Sequence, residues 1–358
     1  MVKPGTYRLD SRVSMTRSGT TNAPITVQAE PGAVFQSNTL EMFSVSGSDW
    51  IFTDLVIEGV CSVHSNCEHA FHVVGGAHRT RIQRNIVRDF NASIKGNGTG
   101  GVSPSDVLIQ DNHFYNRTAR NTSNPVTLID VVGGTRWMIR GNTIADFAKN
   151  GGNYISYGAF LKGESTDGVM EGNLVICSRD VPNASGTARL GLSLGGGGTG
   201  DAYCPGGFCD YEHANGVIRN NIIMNCSDAG IYLNRARASQ IVHNTLYQTT
   251  GIEVRFVTST ATVANNITSR IANRDGGTHT ARTNFVGTNA QIQAIFTNPS
   301  IGDYHLRNGA SILSKGSDLG TSMRKDMCAQ SRDSLPDLGA IEYVSGTVCP
   351  RQVLEGYR

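Results

Sequence analysis

Apolar and polar residues alternate in short segments along most of this chain, and each segment carries an asparagine at the same place. The alternation has a period of two, which is typical of β-strands rather than of helices. Seven segments share the pattern: IQRNIV, IQDNHF, IRGNTI, MEGNLV, IRNNII, IVHNTL and VANNIT. Their asparagines are Asn85, Asn112, Asn142, Asn173, Asn221, Asn244 and Asn266. An earlier segment, IFTDLVI, has Asp54 at the position we align with them.

The intervals between these asparagines are 27, 30, 31, 48, 23 and 22 residues. A unit of this length that recurs with one fixed residue is typical of a solenoid. Stacked coils bring equivalent residues to about 4.8 Å from each other, so each side-chain amide can donate to the next and satisfy buried polar groups. The pattern therefore predicts an all-β fold, a single-stranded right-handed parallel β-helix with an asparagine ladder.

The repeat also predicts how the chain is divided. Residues 1–271 should form the coils, and residues 272–358 should form the final coil or coils and a C-terminal capping segment, because the asparagine pattern stops near residue 272. The long interval of 48 residues contains a glycine-rich stretch, residues 196–214. We expect this stretch to be a lid or wall beside a groove, and it offers Tyr203, Tyr211, Glu212 and His213 to that groove.

Composition limits the partners. Charged residues make up 17% of the 358 positions, and the formal net charge is +2. Such a chain has no overall field for nucleic acid or a membrane surface, so any affinity for a polyanion must come from a local groove. No apolar run is long enough to span a bilayer. We expect a monomer that binds neither nucleic acid nor membrane.

Eight cysteines suggest disulfides and an exported protein, either secreted or periplasmic. Sequence proximity pairs Cys61 with Cys67, Cys204 with Cys209 and Cys328 with Cys349, and coil adjacency pairs Cys177 with Cys226. A zinc site is the alternative, but the chain has no CxxC motif. The chain begins with MVKPGTYRL, which has the pattern of a first coil, so we expect that an export leader has been removed.

Several side chains on the predicted strands are candidates for chemistry. The segment CSVHSNCEHAFHVVGG contains a cluster of His64, Glu68, His69 and His72, which is compatible with a metal site, with groove-lining histidines or with plain packing. Alignment of the strands places Lys95, Lys162 and Arg255 in one outward column, with Asp130 close by and His72 and Glu253 in neighbouring columns. Because an unpaired ammonium is costly to bury, we expect these cations to face a groove for an anionic ligand.

The N-x-[IVL] strands and the tail F-x-x-P…D-Y-H-L…D-L-G-A-I-E resemble the β-helix proteins grouped with pectate lyases, and most of all the chondroitinase B and alginate lyase family, which is polysaccharide lyase family 6-like. The segment FLKG matches the family's strand that ends in a catalytic lysine, which implies that Lys162 is the Brønsted base. The family's arginine position falls on Gly195, and Arg189 is the nearer substitute, ahead of Arg255. The acids that bind calcium in the family have no counterpart in GGNYISYGAF, so we expect no cofactor and no metal at this site, although calcium stays open as an alternative.

The resemblance implies β-elimination on a uronic-acid polymer, an anionic polysaccharide such as alginate or a glycosaminoglycan. In this scheme Lys162 is the base, Arg189 or Lys95 neutralises the carboxylate, and Tyr157 or His72 donates to the leaving oxygen. The further residues expected to bind substrate are Asp130, Tyr154, Asn234, Glu253, Arg255 and His213. Three alternatives stay open: a glycoside hydrolase that uses two carboxylates among Asp130, Glu164, Asp167 and Glu253, a C5-epimerase, and a non-catalytic carbohydrate-binding β-helix.

Overall fold

The computed structural model describes residues 1–196, 198–204, 207–299 and 303–345. Three long parallel sheets run along the molecule, and successive strands of the chain pass from one sheet to the next. The result is a right-handed parallel β-helix, as the sequence predicts. Within the described residues, no helix is both long enough and apolar enough to cross a lipid bilayer.

The strands are numbered in chain order and belong to five sheets. The first sheet contains β1 (Gly5–Leu9), β4 (Ala33–Ser37), β7 (Val56–Gly59), β10 (Ile86–Arg88), β13 (His113–Tyr115), β16 (Thr143–Ala145), β20 (Leu174–Ile176), β24 (Ile222–Met224), β28 (Thr245–Tyr247), β31 (Ile267–Thr268) and β34 (Phe285–Val286). The second sheet contains β2 (Val13–Met15), β5 (Glu41–Val45), β8 (His69–Val74), β11 (Ala92–Asn97), β14 (Val126–Val132), β17 (Ile155–Lys162), β21 (Ala188–Leu194), β25 (Ile231–Asn234), β29 (Ile252–Arg255) and β32 (Ile271–Arg274). The third sheet contains β3 (Ile25–Gln28), β6 (Trp50–Thr53), β9 (Arg81–Gln83), β12 (Leu108–Gln110), β15 (Met138–Arg140), β19 (Val169–Glu171), β23 (Val217–Arg219), β27 (Ser239–Val242), β30 (Thr260–Ala264) and β33 (Thr278–Arg282). A small parallel sheet contains β18 (Ser165–Thr166), β22 (His213–Ala214) and β26 (Ala236–Arg237), and an antiparallel pair contains β35 (Phe296–Asn298) and β36 (Asp303–Leu306).

The asparagine ladder lies at the turn between the third and first sheets. Asn142 shows its bonding: its Oδ1 accepts from the backbone N and the Nδ2 of Asn112, both at 3.0 Å, and its Nδ2 donates to Asn173 Oδ1 at 3.0 Å. The same amide also donates to the Ile109 carbonyl at 2.9 Å. Each ladder residue therefore satisfies buried polar groups of two coils, which confirms the role predicted for these asparagines.

The ladder differs from the prediction at its two ends. Leu55, and not Asp54, stands opposite Asn85, since the Leu55 backbone N donates to Asn85 Oδ1 at 2.9 Å. Asp54 lies one residue earlier in the left-handed conformation and pairs with Arg84 at 2.8 Å. At the other end Asn284 accepts from both nitrogens of Asn266 at 2.9 Å. The repeat thus continues one coil beyond the predicted end near residue 272.

Three predicted disulfides are present: Cys61–Cys67, Cys177–Cys226 and Cys204–Cys209. The bond between Cys177 and Cys226 joins two adjacent coils, as their positions after the ladder asparagines suggest. The predicted partner of Cys328, Cys349, lies outside the described residues. The bonds that are present brace loops on either side of the second sheet.

The segment after the last coil packs along the side of the solenoid as well as beyond its end. It begins with the short helix α1 (Asn289–Gln293) and the β35–β36 pair. Its apolar residues, Tyr304 among them, form one cluster with outward residues of the first sheet such as Met224 and Ile176. The Tyr304 hydroxyl lies 2.9 Å from Met224 Sδ. The predicted capping segment therefore covers one side of several coils and leaves the second sheet open.

Candidate functional site

A groove runs over the outward face of the second sheet. Long loops that enter β14, β17 and β21 form one wall: residues 116–125, 146–154 and 177–187. The described residues of the loops that leave β11 and β21, residues 98–107, 195–196, 198–204 and 207–212, form the other wall. Because loops at both edges of a sheet rise above it, the strands between them become the floor of a concave site.

A cavity of about 400 Å³ lies in the middle of this groove. It is lined by Lys95, Ser123, Pro125, Val126, Thr127, Asp130, Lys149, Asn153, Ile155, Tyr157, Phe160 and Lys162. We call it the lysine cavity because it gathers three lysines and a single carboxylate. This composition makes it a candidate site for an anionic ligand.

Lys162 stands at the end of β17, where the strand meets the glycine-rich loop. Its Nζ donates to the Gly198 carbonyl at 3.0 Å and lies 4.9 Å from the centre of the Phe160 ring. Burial lowers the pKa of Lys162 below the usual lysine value; Asp130 and Glu212 raise it, and Lys95 lowers it further. A lysine with a lowered pKa can be neutral and act as a base.

The glycine-rich loop is held against Lys162 by Glu212. One carboxylate oxygen of Glu212 accepts from the Gly163 backbone N at 2.8 Å and from the Thr199 hydroxyl at 2.6 Å. Glu212 itself is buried. The loop therefore forms a fixed wall beside the lysine cavity in its described residues, and Glu212 supports that wall.

Lys149 enters the cavity from the loop between β16 and β17. It is 4% exposed, and its Nζ donates to Asn153 Oδ1 at 2.9 Å. Burial lowers its pKa. Neither Lys149 nor Lys162 forms an ion pair with any described residue. An ammonium has three donors, so each has capacity left for an anion.

Lys95 and Asp130 neutralise each other on the cavity floor. They stand opposite each other on β11 and β14, with Lys95 Nζ 2.8 Å from Asp130 Oδ1. The carboxylate is largely buried, with 7% of its side chain exposed. The amino groups available to a ligand are therefore those of Lys149 and Lys162.

Aromatic rings complete the cavity. Tyr157 and Phe160 lie edge to face, with ring centres 5.4 Å apart. Burial raises the pKa of Tyr157 above its usual value, so its phenol stays protonated. Phe160 occupies the floor position that follows Asp130 in the strand register. An apolar wall with one protonated hydroxyl is suited to a sugar ring and its oxygen atoms.

The strand register corrects the predicted column of cations for Lys95, whereas Lys162 and Arg255 do share one outward column. Lys95 pairs with His72 and Asp130, whereas Lys162 pairs with Val132 in the next outward column. Gly96 explains the difference: it points inward, where a Cβ would lie 2.6 Å from the Trp137 ring. Because Gly96 has no apolar side chain, the alternating pattern ends before this position, and Lys95 is aligned with the strand end at Lys162. Lys95 and Lys162 nevertheless line one cavity.

Two residues expected at the site do not line it. Arg189 is 1% exposed, and its guanidinium donates to the carbonyls of Cys177, Val181 and Pro182 at 2.5–2.9 Å. It braces the loop 177–187, so it is not free to bind a carboxylate. His213 is fully buried in the small sheet, and burial lowers its pKa to about 3. The buried face of β22, rather than the groove, receives its ring.

The other expected residues lie along the groove but outside the lysine cavity. Arg255 is bound to Asp275 at 2.5 Å and to the Tyr232 hydroxyl at 3.1 Å. Glu253 pairs with an arginine of the last coil, and the Asn234 amide contacts the same Tyr232 hydroxyl at 3.3 Å. Tyr154 is 43% exposed on the loop before β17. His72 lies one strand before Lys95 and bonds Glu41 and Asn97. These residues could extend a binding site along several sugar units.

Sequence reasoning missed Lys149 and Phe160. Lys149 lies in the loop segment DFAKNGG, which has no alternation to show which way a side chain points. Phe160 belongs to a strand in which both faces carry apolar residues. The proximity of Lys149 to the FLKG strand in sequence was the one available signal.

Comparison with known proteins agrees with the fold. A family model described as periplasmic copper-binding protein (NosD) matches residues 203–297, less than half of the chain. Pectate lyase Pel9A shares 16% identity with a TM-score of 0.63, and the match covers 95% of this chain and 86% of that one. A rhamnogalacturonan lyase (14%, TM-score 0.46, 92% and 90% covered) and a PL6 family polysaccharide lyase from Pseudopedobacter saltans (11%, 0.38, 89% and 94%) are also similar. No curated protein matches the chain. At these identities the likeness shows the β-helix fold.

Proposed function

We propose that this protein is a polysaccharide lyase that cleaves a uronic-acid-containing polysaccharide by β-elimination in the lysine cavity. The observation that carries the proposal is the pair of amines, Lys149 and Lys162, that lie in one cavity without an acidic partner among the described residues. Such a pair suits a reaction that must bind a carboxylate and remove a proton beside it.

Lys149, Lys162 and Tyr157 each perform one part of the elimination. Lys149 binds the uronate carboxylate and stabilises the negative charge that develops on it, the role first expected of Arg189. Lys162, whose pKa is lowered by burial, takes the C5 proton in its neutral form. The electron pair of the C5–H bond forms the C4–C5 double bond, and the bond from C4 to the glycosidic oxygen breaks. Tyr157, a protonated phenol in the same cavity, donates the proton to the leaving oxygen.

The content of the cavity disfavours the hydrolase alternative. A glycoside hydrolase needs two carboxyl groups on either side of the scissile bond. Among the residues that line the cavity, Asp130 is the single carboxylate, and it is bound to Lys95. A single carboxylate is also a poor basis for a calcium site, because Ca²⁺ requires six to eight oxygen ligands. We therefore propose an elimination that needs no added cofactor.

The disulfides support a secreted or periplasmic location for the protein. The partner is then an anionic polysaccharide. The polymer is held along the groove, and residues outside the cavity, Arg255 and Tyr154 among them, contact neighbouring sugars. Which uronate the cavity prefers depends on its shape around C5.

The proposal is tested on a panel of uronic-acid polysaccharides, with and without added Ca²⁺. We expect ultraviolet absorbance from the C4–C5 double bond to rise on at least one polymer at a rate that Ca²⁺ does not change. New reducing ends without this absorbance would instead indicate a hydrolase. Inversion at C5 without chain cleavage would indicate an epimerase, and binding without any product would indicate a carbohydrate-binding protein. Each of the last three outcomes overturns the proposal.

A further inference from the structure

A second polar cluster lies on the outward face of the second sheet, one strand before Lys95. It consists of Glu41 on β5 and of His69 and His72 on β8. One ligand atom from each residue lies within 4.8 Å of the other two. All three residues are half-buried, so the cluster can be reached from the groove.

Hydrogen bonds fix how His72 is protonated. Asn97 Nδ2 donates to the Gly98 carbonyl at 3.0 Å, which turns Asn97 Oδ1 towards His72 Nε2 at 2.5 Å. Because Oδ1 can only accept, Nε2 must carry a proton. In neutral His72 the lone pair of Nδ1 then faces Glu41 Oε1 at 2.9 Å, so two acceptors point at each other. A cation must lie between them, either a proton or a metal ion.

His69 supplies the observation that favours the metal ion. Its Nδ1 lies 3.9 Å from the same oxygen of Glu41, is shielded from solvent and has no hydrogen-bond partner. A proton on His72 satisfies His72 and Glu41 but leaves this nitrogen unpaired, which is costly for a buried polar atom. One ion bound to all three atoms satisfies all three.

We propose that Glu41, His69 and His72 bind one divalent transition-metal ion of the zinc class. Two imidazoles and one carboxylate form a ligand set that Zn²⁺ accepts with one coordination position left open. The site goes beyond the proposed lyase activity and does not depend on it. It also lies outside residues 203–297, so it does not derive from the family match.

The surroundings support such a site. Asn97 accepts from the second nitrogen of His72, the contact that orients metal-bound histidines. Arg12 contacts the other oxygen of Glu41 at 3.3 Å and leaves Oε1 for the ion. Lys95, the nearest cation on the following strand, is neutralised by Asp130. The positive charge of Lys95 next to the cluster is therefore already compensated.

The test is titration of chelator-stripped, dialysed protein with Zn²⁺ at neutral pH by calorimetry. We expect one equivalent to bind, and Ca²⁺, which prefers oxygen ligands, to give no comparable signal. H69A and H72A should each weaken Zn²⁺ binding by more than about 100-fold, and N97A by about tenfold.

H279A is the matched control, since His279 bonds a single asparagine side chain on β32, far along the chain. It should bind Zn²⁺ like the wild type. Unfolding temperatures measured in chelator show whether each variant is folded. The proposal is overturned if the wild type binds no Zn²⁺, or if folded H69A and H72A bind it as tightly as H279A does. Either result would leave the cluster as a hydrogen-bonded histidine–glutamate pair.

Discussion

The same coils form two regions that differ in how much the residue type varies from coil to coil. These regions are the buried asparagine ladder and the outward face of the second sheet. Along the ladder the residue stays the same from Asn85 to Asn284, because each amide must bond both the preceding and the following coil. Along one outward column almost every strand differs: His72, Lys95, Asp130, Phe160, Ser193, Tyr232 and Glu253. Stacking therefore constrains the interior turn and leaves the groove floor free to carry chemistry.

This comparison predicts that the two regions respond differently to substitution. Substitutions in the ladder should lower stability, and the molecules that remain folded should keep their catalytic properties. Cavity variants should lose activity and keep stability.

The largest loss of stability is expected from N142A, because it leaves both nitrogens of Asn112 and the Ile109 carbonyl without their buried partner. We expect roughly 5 kcal/mol less free energy of unfolding in urea.

The control for N142A is N22A, which changes an exposed asparagine in the first coils. Its free energy of unfolding should stay within about 0.5 kcal/mol of the wild type. Equal losses in the two variants would mean that the ladder contributes no more than a surface residue.

The disulfides give a second, somewhat smaller effect on stability. Cys177 and Cys226 are separated by 49 residues, whereas Cys204 and Cys209 are separated by five. Because a longer closed loop restricts the unfolded chain more, the C177A/C226A double variant should lose about 4 kcal/mol and C204A/C209A about 2 kcal/mol. Chemical unfolding of the two variants measures both values, and the reverse order would contradict this account.

Lys149 provides the first test of the groove floor. K149M removes the charge proposed to stabilise the uronate carboxylate, so kcat/KM should fall about 10–100-fold, with kcat falling as well as binding. K315M, at an exposed lysine, is the control and should leave both unchanged. If K149M raises KM alone, Lys149 binds substrate without assisting the chemical step.

The smallest predicted effect is a shift of the pH–rate profile. The rate should rise with pH as Lys162 loses its proton, at a pH below the usual lysine value because burial lowers its pKa. K95M removes a charge that lowers this pKa and leaves Asp130 unpaired, so the profile should move to higher pH. D130N removes a charge that raises it, so the profile should move to lower pH. Shifts in the same direction would show that Lys162 is not the group that titrates.

The sequence alone predicted the features that the stacking of buried coils requires. The asparagine ladder, the parallel coils and the Cys177–Cys226 bond follow from residues that recur at fixed places, since each must meet its neighbour on the adjacent coil. The prediction failed where position does not show environment. Gly96 points inward against Trp137. Because it has no side chain, the alternating pattern does not show the true strand register of Lys95. Asp54 precedes the ladder position because the turn places it in the left-handed conformation.

The groove was harder to predict because its residues come from loops as well as strands. Lys149 reaches the cavity from a loop whose path depends on contacts with neighbouring coils. Arg189 looked available as a cation, but three carbonyls of its own loop surround its guanidinium. An alternating pattern of apolar and polar residues predicts neither the path of the Lys149 loop nor the contacts of Arg189.

The most direct test of the lysine cavity is the rate of ultraviolet product formation by K162A on a polymer that the wild type cleaves. The account predicts a loss of about 10²–10⁴-fold, the range expected when a catalytic base is removed, with an unchanged unfolding temperature. K315A should keep the wild-type rate. A folded K162A that forms the unsaturated product as fast as K315A would contradict the assignment of this cavity as the active site.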